Sequence, residues 1–131
     1  MECEEYANCP TIRDDGICDV SERTLYFDNT NILNVRHDLF YQDAVCLEHP
    51  KSTWAILHHK DKTEGVRVDY EGFDFFQIWS CKNDGPFVAL EPWTGTATTS
   101  EEDDVFEHKR GVKILAPGKT ENSAYSIGIV E

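Results

Sequence analysis

From residue 44 onward, apolar positions come in short runs separated by turn-forming residues. AVCLEH (44–49), TWAILHHK (53–60), GVRVDYEGF (65–73), FFQIWSC (75–81) and PFVALE (86–91) each read as a strand. VFEHK (105–109), GVKILAP (111–117) and AYSIGIVE (124–131) are further strand candidates. Thr63-Glu64-Gly65, Asn83-Asp84-Gly85-Pro86 and Pro117-Gly118 supply the punctuation of hairpins and meanders. The first part of the chain is less regular. Residues 1–24 are polar and mixed, with Asp14-Asp15-Gly16 as a turn and Ile17 to Val20 as a short strand. TLYF (24–27) and Ile32 to Val35 read as strands, split by Asp28-Asn29-Thr30-Asn31, and HDLFYQD (37–43) as a helical turn or loop. No convincing amphipathic helix lies between the strands. The pattern predicts an all-β, mostly antiparallel sandwich or barrel, built as a single domain over residues 1–131.

Composition narrows the partners. The 25 acidic residues outnumber 12 basic ones, for a net charge of −13. Phosphate backbones and anionic membrane surfaces both need clustered Lys and Arg, so neither nucleic acid nor a membrane is expected as a partner. No apolar run approaches the length that crosses a bilayer. The opening MECEEYANCP carries acids where a secretory signal would carry basic residues and an apolar run. Five cysteines, an odd number with no CxxC, point to free thiols in a reducing cytoplasm rather than to disulfides or a structural zinc.

Three residues carry candidate chemistry. Glu91 ends the apolar strand PFVALE and is followed by Pro92 and Trp93. Neighbouring strand residues face opposite ways, so if Leu90 faces a core then Glu91 faces solvent or a cleft. Pro92 cannot donate to a sheet ladder, so the strand is expected to stop there, with Trp93 beyond it. Glu91 reads either as a surface glutamate or as a carboxylate aimed into a concave site. Asp43 follows Leu39, Phe40 and Tyr41 and reads as a cap bonded to local backbone or as a second site carboxylate. Trp93 reads as a core residue or as a flat face for the C–H side of a sugar, whereas Trp79, inside FFQIWSC, reads as core. His58 and His59 are adjacent on a strand and cannot chelate one ion together, and His37, His49 and His108 show no ligand spacing. The run TTSEEDD (98–104) resembles no calcium loop. GxSxG, P-loop and GxGxxG patterns are absent, which disfavours phosphoryl transfer and dinucleotide chemistry.

The order of segments LFYQDAV, STWAIL, GVRVDYEGFDFFQIWS, PFVALEPWTG, EHKRGVKILAPGK and AYSIGIV resembles the C-terminal part of the aldose 1-epimerase (galactose mutarotase-like) superfamily, in particular its bacterial LacX-like branch. IWS followed closely by PFVALEPW, and the LAPG turn before the last strand, are the most specific pieces. The resemblance runs from about Tyr6 or Gly16 onward. It implies the C-terminal portion of a large antiparallel β-sandwich (a supersandwich) with an open cleft on one sheet. It implies interconversion of α and β anomers of a hexose such as galactose by ring opening, with no cofactor or metal. In that chemistry a glutamate takes the proton of the anomeric hydroxyl while a histidine protonates the ring oxygen. The glutamate position matches Glu91, and an aspartate that binds sugar hydroxyls is matched to Asp43. A glutamate is ionised at neutral pH and ready to accept.

The family's catalytic histidines lie upstream of everything that matches here, and none of the five histidines fits their motifs. The resemblance therefore implies a site whose general acid is missing from this chain, or else a carbohydrate-binding domain that does no chemistry. Half of a large sandwich would also leave an apolar face or edge uncovered, so the chain is expected to pair with another copy or with an N-terminal half.

Overall fold

The computed structural model describes residues 1–3, 8–13 and 15–131. Among them are nine strands and two short 3-10 turns. The strands are β1 (Glu2–Cys3), β2 (Asn8–Ile12), β3 (Cys18–Leu25), β4 (Val45–Glu48), β5 (Trp54–His58), β6 (Gly65–Asp69), β7 (Phe75–Trp79), β8 (Ala89–Trp93) and β9 (Ser126–Val130). The 3-10 turns are His37–Phe40 and Phe106–His108. All strand pairs are antiparallel, as the meander punctuation predicts.

The strands form a four-stranded sheet in the order β1-β5-β6-β9, a three-stranded sheet in the order β4-β7-β8, and a β2-β3 pair. Alternation decides which face each strand buries. On β6, Val66 and Val68 share one face while Arg67 and Asp69 share the other, where the Arg67 guanidinium lies over the Trp54 ring at 4.8 Å and grips Asp69. Ala55 and Val68 of the large sheet and Val45, Leu47, Phe76 and Ile78 of the small one close a single apolar core, with Tyr70 stacked on Phe76 at 4.0 Å between ring centroids. The opposite face of the small sheet buries a second cluster of Ile12, Ala44, Cys46 and Phe75, with Trp79 packed against it. The small sheet is thus apolar on its core face and mixed on its other face, and the functional question lies on the latter.

Several expectations are corrected. Residues 8–12, read as mixed polar chain, form β2, an edge element with a register shift between Pro10 and Thr11. Ile32 to Val35 is not a strand. VFEHK contains a 3-10 turn and GVKILAP forms no strand: its Ile114 is 78% exposed, and none of the described strands pairs with it. At the other end of PFVALE, a tight turn from the Phe87 N–H to the Gly85 carbonyl (2.9 Å) keeps the first residues out of the ladder, so β8 starts at Ala89. Asp14 of the expected turn and Tyr6 lie outside the described residues, and the turn is seen from Asp15, with Gly16 at φ 80.

The long segment between β8 and β9 is held to the small sheet at particular points. Gly111 has φ +73, and a Cβ placed there would sit 2.6 Å from Cε2 of Phe75, a ring that is 1% exposed and has nowhere to move. Gly111→Ala is therefore expected to lower stability by about 1–3 kcal/mol, from left-handed backbone strain together with overpacking. Urea unfolding followed by tryptophan fluorescence checks this, and an unchanged midpoint would contradict it.

Candidate active site

The small sheet presents three rows of side chains on the face opposite the core. Trp79 pairs with Ala89; Cys46, Gln77 and Glu91 are in register across β4, β7 and β8; and Glu48, Phe75 and Trp93 form the next row. Leu90 packs against the main core, so Glu91 points the other way, as strand alternation requires. The strand does not stop at Pro92, however. Trp93 is the last residue of β8, paired with Phe75, and Pro92 is in register with Phe76. The reason is position: β8 is the edge of its sheet, where a proline's missing N–H can face outward instead of leaving a ladder bond unmade.

This extension brings Glu91 and Trp93 onto one face, two residues apart. The Trp93 indole Nε1–H donates to Oε2 of Glu91 at 3.0 Å. The bond fixes the carboxylate and leaves Oε1 free to accept. Trp93 itself is 37% exposed, so its ring is available as a flat apolar wall beside the carboxylate. Beside Glu91, on β7, Gln77 is buried, and its Nε2 has no hydrogen-bond partner among the described residues. An unpaired buried donor is costly, about 1–3 kcal/mol, and calls for an explanation. Gln77 was not picked out from the sequence, although a polar residue between the core-facing Phe76 and Ile78 was the available signal.

Asp43 lies two residues before β4, the edge strand across the sheet from β8 and Glu91. It is half-buried, and its Oδ1 accepts the Ala44 N–H at 2.7 Å, a local bond that shapes the entry to β4. The structure thus joins Glu91 to Trp93 directly and leaves Asp43 at the sheet's other margin. The histidines are occupied elsewhere: His37 faces Asp84, His59 faces Asp61 and His108 bonds Asp103. His58 Nδ1 lies 2.9 Å from the carbonyls of His59 and Lys62. The His49 ring lies against Phe75, with centroids 5.7 Å apart, while its Nδ1 faces Asp74. Among the described residues, no three of His, Cys, Asp and Glu gather as metal ligands would.

A second polar feature borders the face. Glu48, with a side chain only 6% exposed, is held between Arg23 of β3 (Nη2 to Oε2, 2.8 Å) and Arg110, which approaches Oε1. Burial raises the carboxyl pKa, but the hydrogen bonds and charges of the two guanidinium groups outweigh it and hold the carboxyl below its ordinary value. The nearby thiols go the other way. Burial, with the neighbouring Cys18 and Glu48, pushes Cys46 up to about 12, and burial raises Cys18. Both stay protonated at neutral pH and are poor nucleophiles. Cys18, Cys46 and Cys81 carry free thiols.

The Glu48 clamp has a measurable signature. Glu48→Gln loses charge-assisted bonds, and the arginine side chains are 31% and 39% exposed, so water makes up part of the loss: about 1–2 kcal/mol is expected. Because the folded carboxyl is held below its unfolded value, its contribution is fully present above that unfolded value, about pH 4.3, and is lost as pH falls through the folded one. In urea titrations between pH 7 and 3, the wild-type chain should lose more stability on acidification than the variant. Parallel curves would remove Glu48 from the account.

No protein-family model matches the chain. It is 33% identical over 133 aligned positions to the chromosomal protein LacX of Lactococcus lactis subsp. lactis, a match covering 99% of this chain and 44% of that protein. The plasmid LacX of the same organism matches to the same extent. A galactose mutarotase-like protein from Lactobacillus casei ATCC 334 superposes with a TM-score of 0.74 at 19% identity, over 98% of this chain and 45% of that one. The chain spans less than half the length of the relatives it matches. No helix among the described residues is long and apolar enough to cross a membrane. The chain is thus LacX-like in sequence and galactose mutarotase-like in fold, over a stretch that corresponds to only part of each.

Proposed function

We propose that this chain carries the base-bearing part of an aldose 1-epimerase site. Glu91 takes the proton from the anomeric hydroxyl of a hexose such as galactose, the ring opens, the C1–C2 bond rotates, and closure delivers the other anomer. The acid that protonates the ring oxygen is a histidine supplied from outside this chain. The observation that carries the reading is the arrangement on the small sheet: a carboxylate anchored by the Trp93 indole, with its other oxygen free beside the half-exposed ring. The Trp93 ring, 37% exposed beside the carboxylate, offers a surface for sugar C–H groups. Asp43 is assigned to the rim, where it binds hydroxyls further along the sugar. Nothing in this scheme calls for a metal or cofactor, and the chain works in the cytoplasm, where its thiols stay reduced.

Anomer exchange measured by NMR on galactose and glucose tests the proposal, with Glu91→Gln as the control. Acceleration that disappears in the variant supports it. Acceleration that survives the substitution would remove Glu91 from the base role. A second reading, a carbohydrate-binding face without catalysis, is favoured by the histidine contacts: each of the five faces an acidic residue or a backbone carbonyl, and the described contacts include none with Glu91. Galactose-dependent quenching of Trp93 fluorescence without any anomer exchange, even with the histidine-bearing part present, would select it.

A further inference from the structure

The site face of β8 continues beyond Glu91 in the direction of Phe87. Leu90 and Val88 both pack against the main core, so Trp93, Glu91, Ala89 and Phe87 lie along the opposite face. Among the described residues, the surroundings of Glu91 are closed on two sides. Toward the middle of the sheet, its neighbour Gln77 is 4% exposed and Cys46 beyond it 1%. Past Trp93 the chain folds over its own path: a Cβ placed on Gly111 would lie 3.3 Å from Gly95 Cα and closer still to the buried Phe75 ring. The direction toward Phe87 is open. Ala89 is partly exposed and carries only a methyl group, so the strip dips between Glu91 and Phe87.

Phe87 ends the strip as an aromatic platform. Its ring is 46% exposed and lies 5.6 Å from that of Trp79, the residue paired with Ala89. The turn before it also holds it in place. The Phe87 N–H donates to the Gly85 carbonyl at 2.9 Å, and a Cβ placed on Gly85 would lie 3.2 Å from Phe87 Cε1. Phe87 borders a hollow of about 370 Å³ walled by Val35, Phe40, Leu57 and Pro86. A strand rises about 3.3 Å per residue, which puts Phe87 about 13 Å from Glu91. One pyranose ring does not span that distance, and two rings joined through C4 do.

We propose that Phe87, braced by Trp79, is a specificity-determining residue that receives a pyranose carried on C4 of the aldose whose anomeric end lies at Glu91. C1 and C4 stand at opposite ends of a pyranose. With C1 at Glu91 and the ring over Ala89, a C4 substituent is delivered to the Phe87 ring. Its C–H face stacks there while its hydroxyls stay in water. A substituent on C6 leaves the ring off that axis and misses the platform. The inference deepens the epimerase reading and rests on Glu91 as the place of the anomeric centre.

The test titrates the isotope-labelled chain with glucose, with cellobiose (a second glucose on O4) and with gentiobiose (the same unit on O6). The indole N–H signals of Trp54, Trp79 and Trp93 are followed by NMR. Cellobiose is expected to bind about tenfold more tightly than glucose, the scale of one well-placed aromatic contact, and gentiobiose no more tightly than glucose. Cellobiose should move the Trp79 and Trp93 signals and leave that of Trp54, on the large sheet, in place. Phe87→Ala should bring cellobiose down to the affinity of glucose, and Phe87→Tyr, which keeps a ring, should preserve the difference. Equal affinity of the unmodified chain for glucose and cellobiose overturns the proposal. So does a cellobiose advantage that survives Phe87→Ala, an equal advantage for gentiobiose, or no binding of any of the three. The base role is read separately, by anomer exchange. A Phe87-dependent cellobiose advantage with exchange unchanged by Glu91→Gln keeps the platform and removes the base. Exchange that needs Glu91, with no cellobiose advantage, does the reverse.

Discussion

Replacing Glu91 by glutamine is expected to slow anomer exchange by about 10²–10⁴-fold, the usual contribution of one positioned acid or base. The substitution is chosen for what it keeps. A glutamine has the same length, and its carbonyl oxygen can still accept from Trp93 Nε1, the bond that orients Glu91 at 3.0 Å. The free end then becomes an amide that can donate but cannot take a proton. Unfolding by urea should hardly change, because Glu91 is partly exposed on an open face. The assay belongs on the assembly that contains the acid-bearing part as well as on this chain alone. Exchange by the chain alone would mean that an acid already present, or water, serves. Exchange only in the assembly would mean that this chain supplies the base to a site completed elsewhere. A rate unchanged by Glu91→Gln in either setting overturns the assignment.

Phe76→Ala should cost about 3–5 kcal/mol, a large fraction of the 5–15 kcal/mol that holds a domain of ordinary size. Phe76 is 0% exposed, sits in the middle strand of the small sheet and stacks on Tyr70 at 4.0 Å with an interplanar angle of 16°. Its neighbours cannot close the cavity from both sides: Tyr70 is tied to the Trp54 carbonyl through its hydroxyl (3.3 Å), and β7 is fixed between two partner strands. Phe106→Ala, at an exposed ring of the same type, should cost less than about 0.5 kcal/mol. Midpoints from urea unfolding distinguish the two. A loss below 1 kcal/mol at Phe76 would mean that the two sheets are not packed through this cluster.

The central strands could be read from the chain because their periodicity and their punctuation agree. Val66 and Val68 alternate with Arg67 and Asp69, and Thr63-Glu64-Gly65 lies just before them; β5, β6, β7 and β9 all fall within their expected runs. GVKILAP looked the same by composition but is not a strand, because β-propensity needs a partner strand to be expressed. β2 was missed for the converse reason: NCPTI has Pro10 and polar residues, yet β3 is there to pair with it. At the site, the direction of Glu91 followed from Leu90 alone. The joining of Glu91 to Trp93 did not, since it depends on β8 running through Pro92, and that depends on β8 being an edge. Arg110 stands 62 residues from Glu48, a separation that no local pattern spans.

The edge position of β9 in the four-stranded sheet bears on how the chain behaves in concentrated solution. SIGIV contains no charge and no proline, its two isoleucines are 65% and 75% exposed, and its outer edge is unpaired among the described residues. Short segments of that composition are templates for strand addition by like segments from other molecules. Glu131, directly after β9, is the adjacent charge that opposes such stacking. Solubility should therefore fall as salt screens that charge and as pH approaches the isoelectric point near 4.6, with fibrillar rather than amorphous deposits beginning at the C-terminal strand.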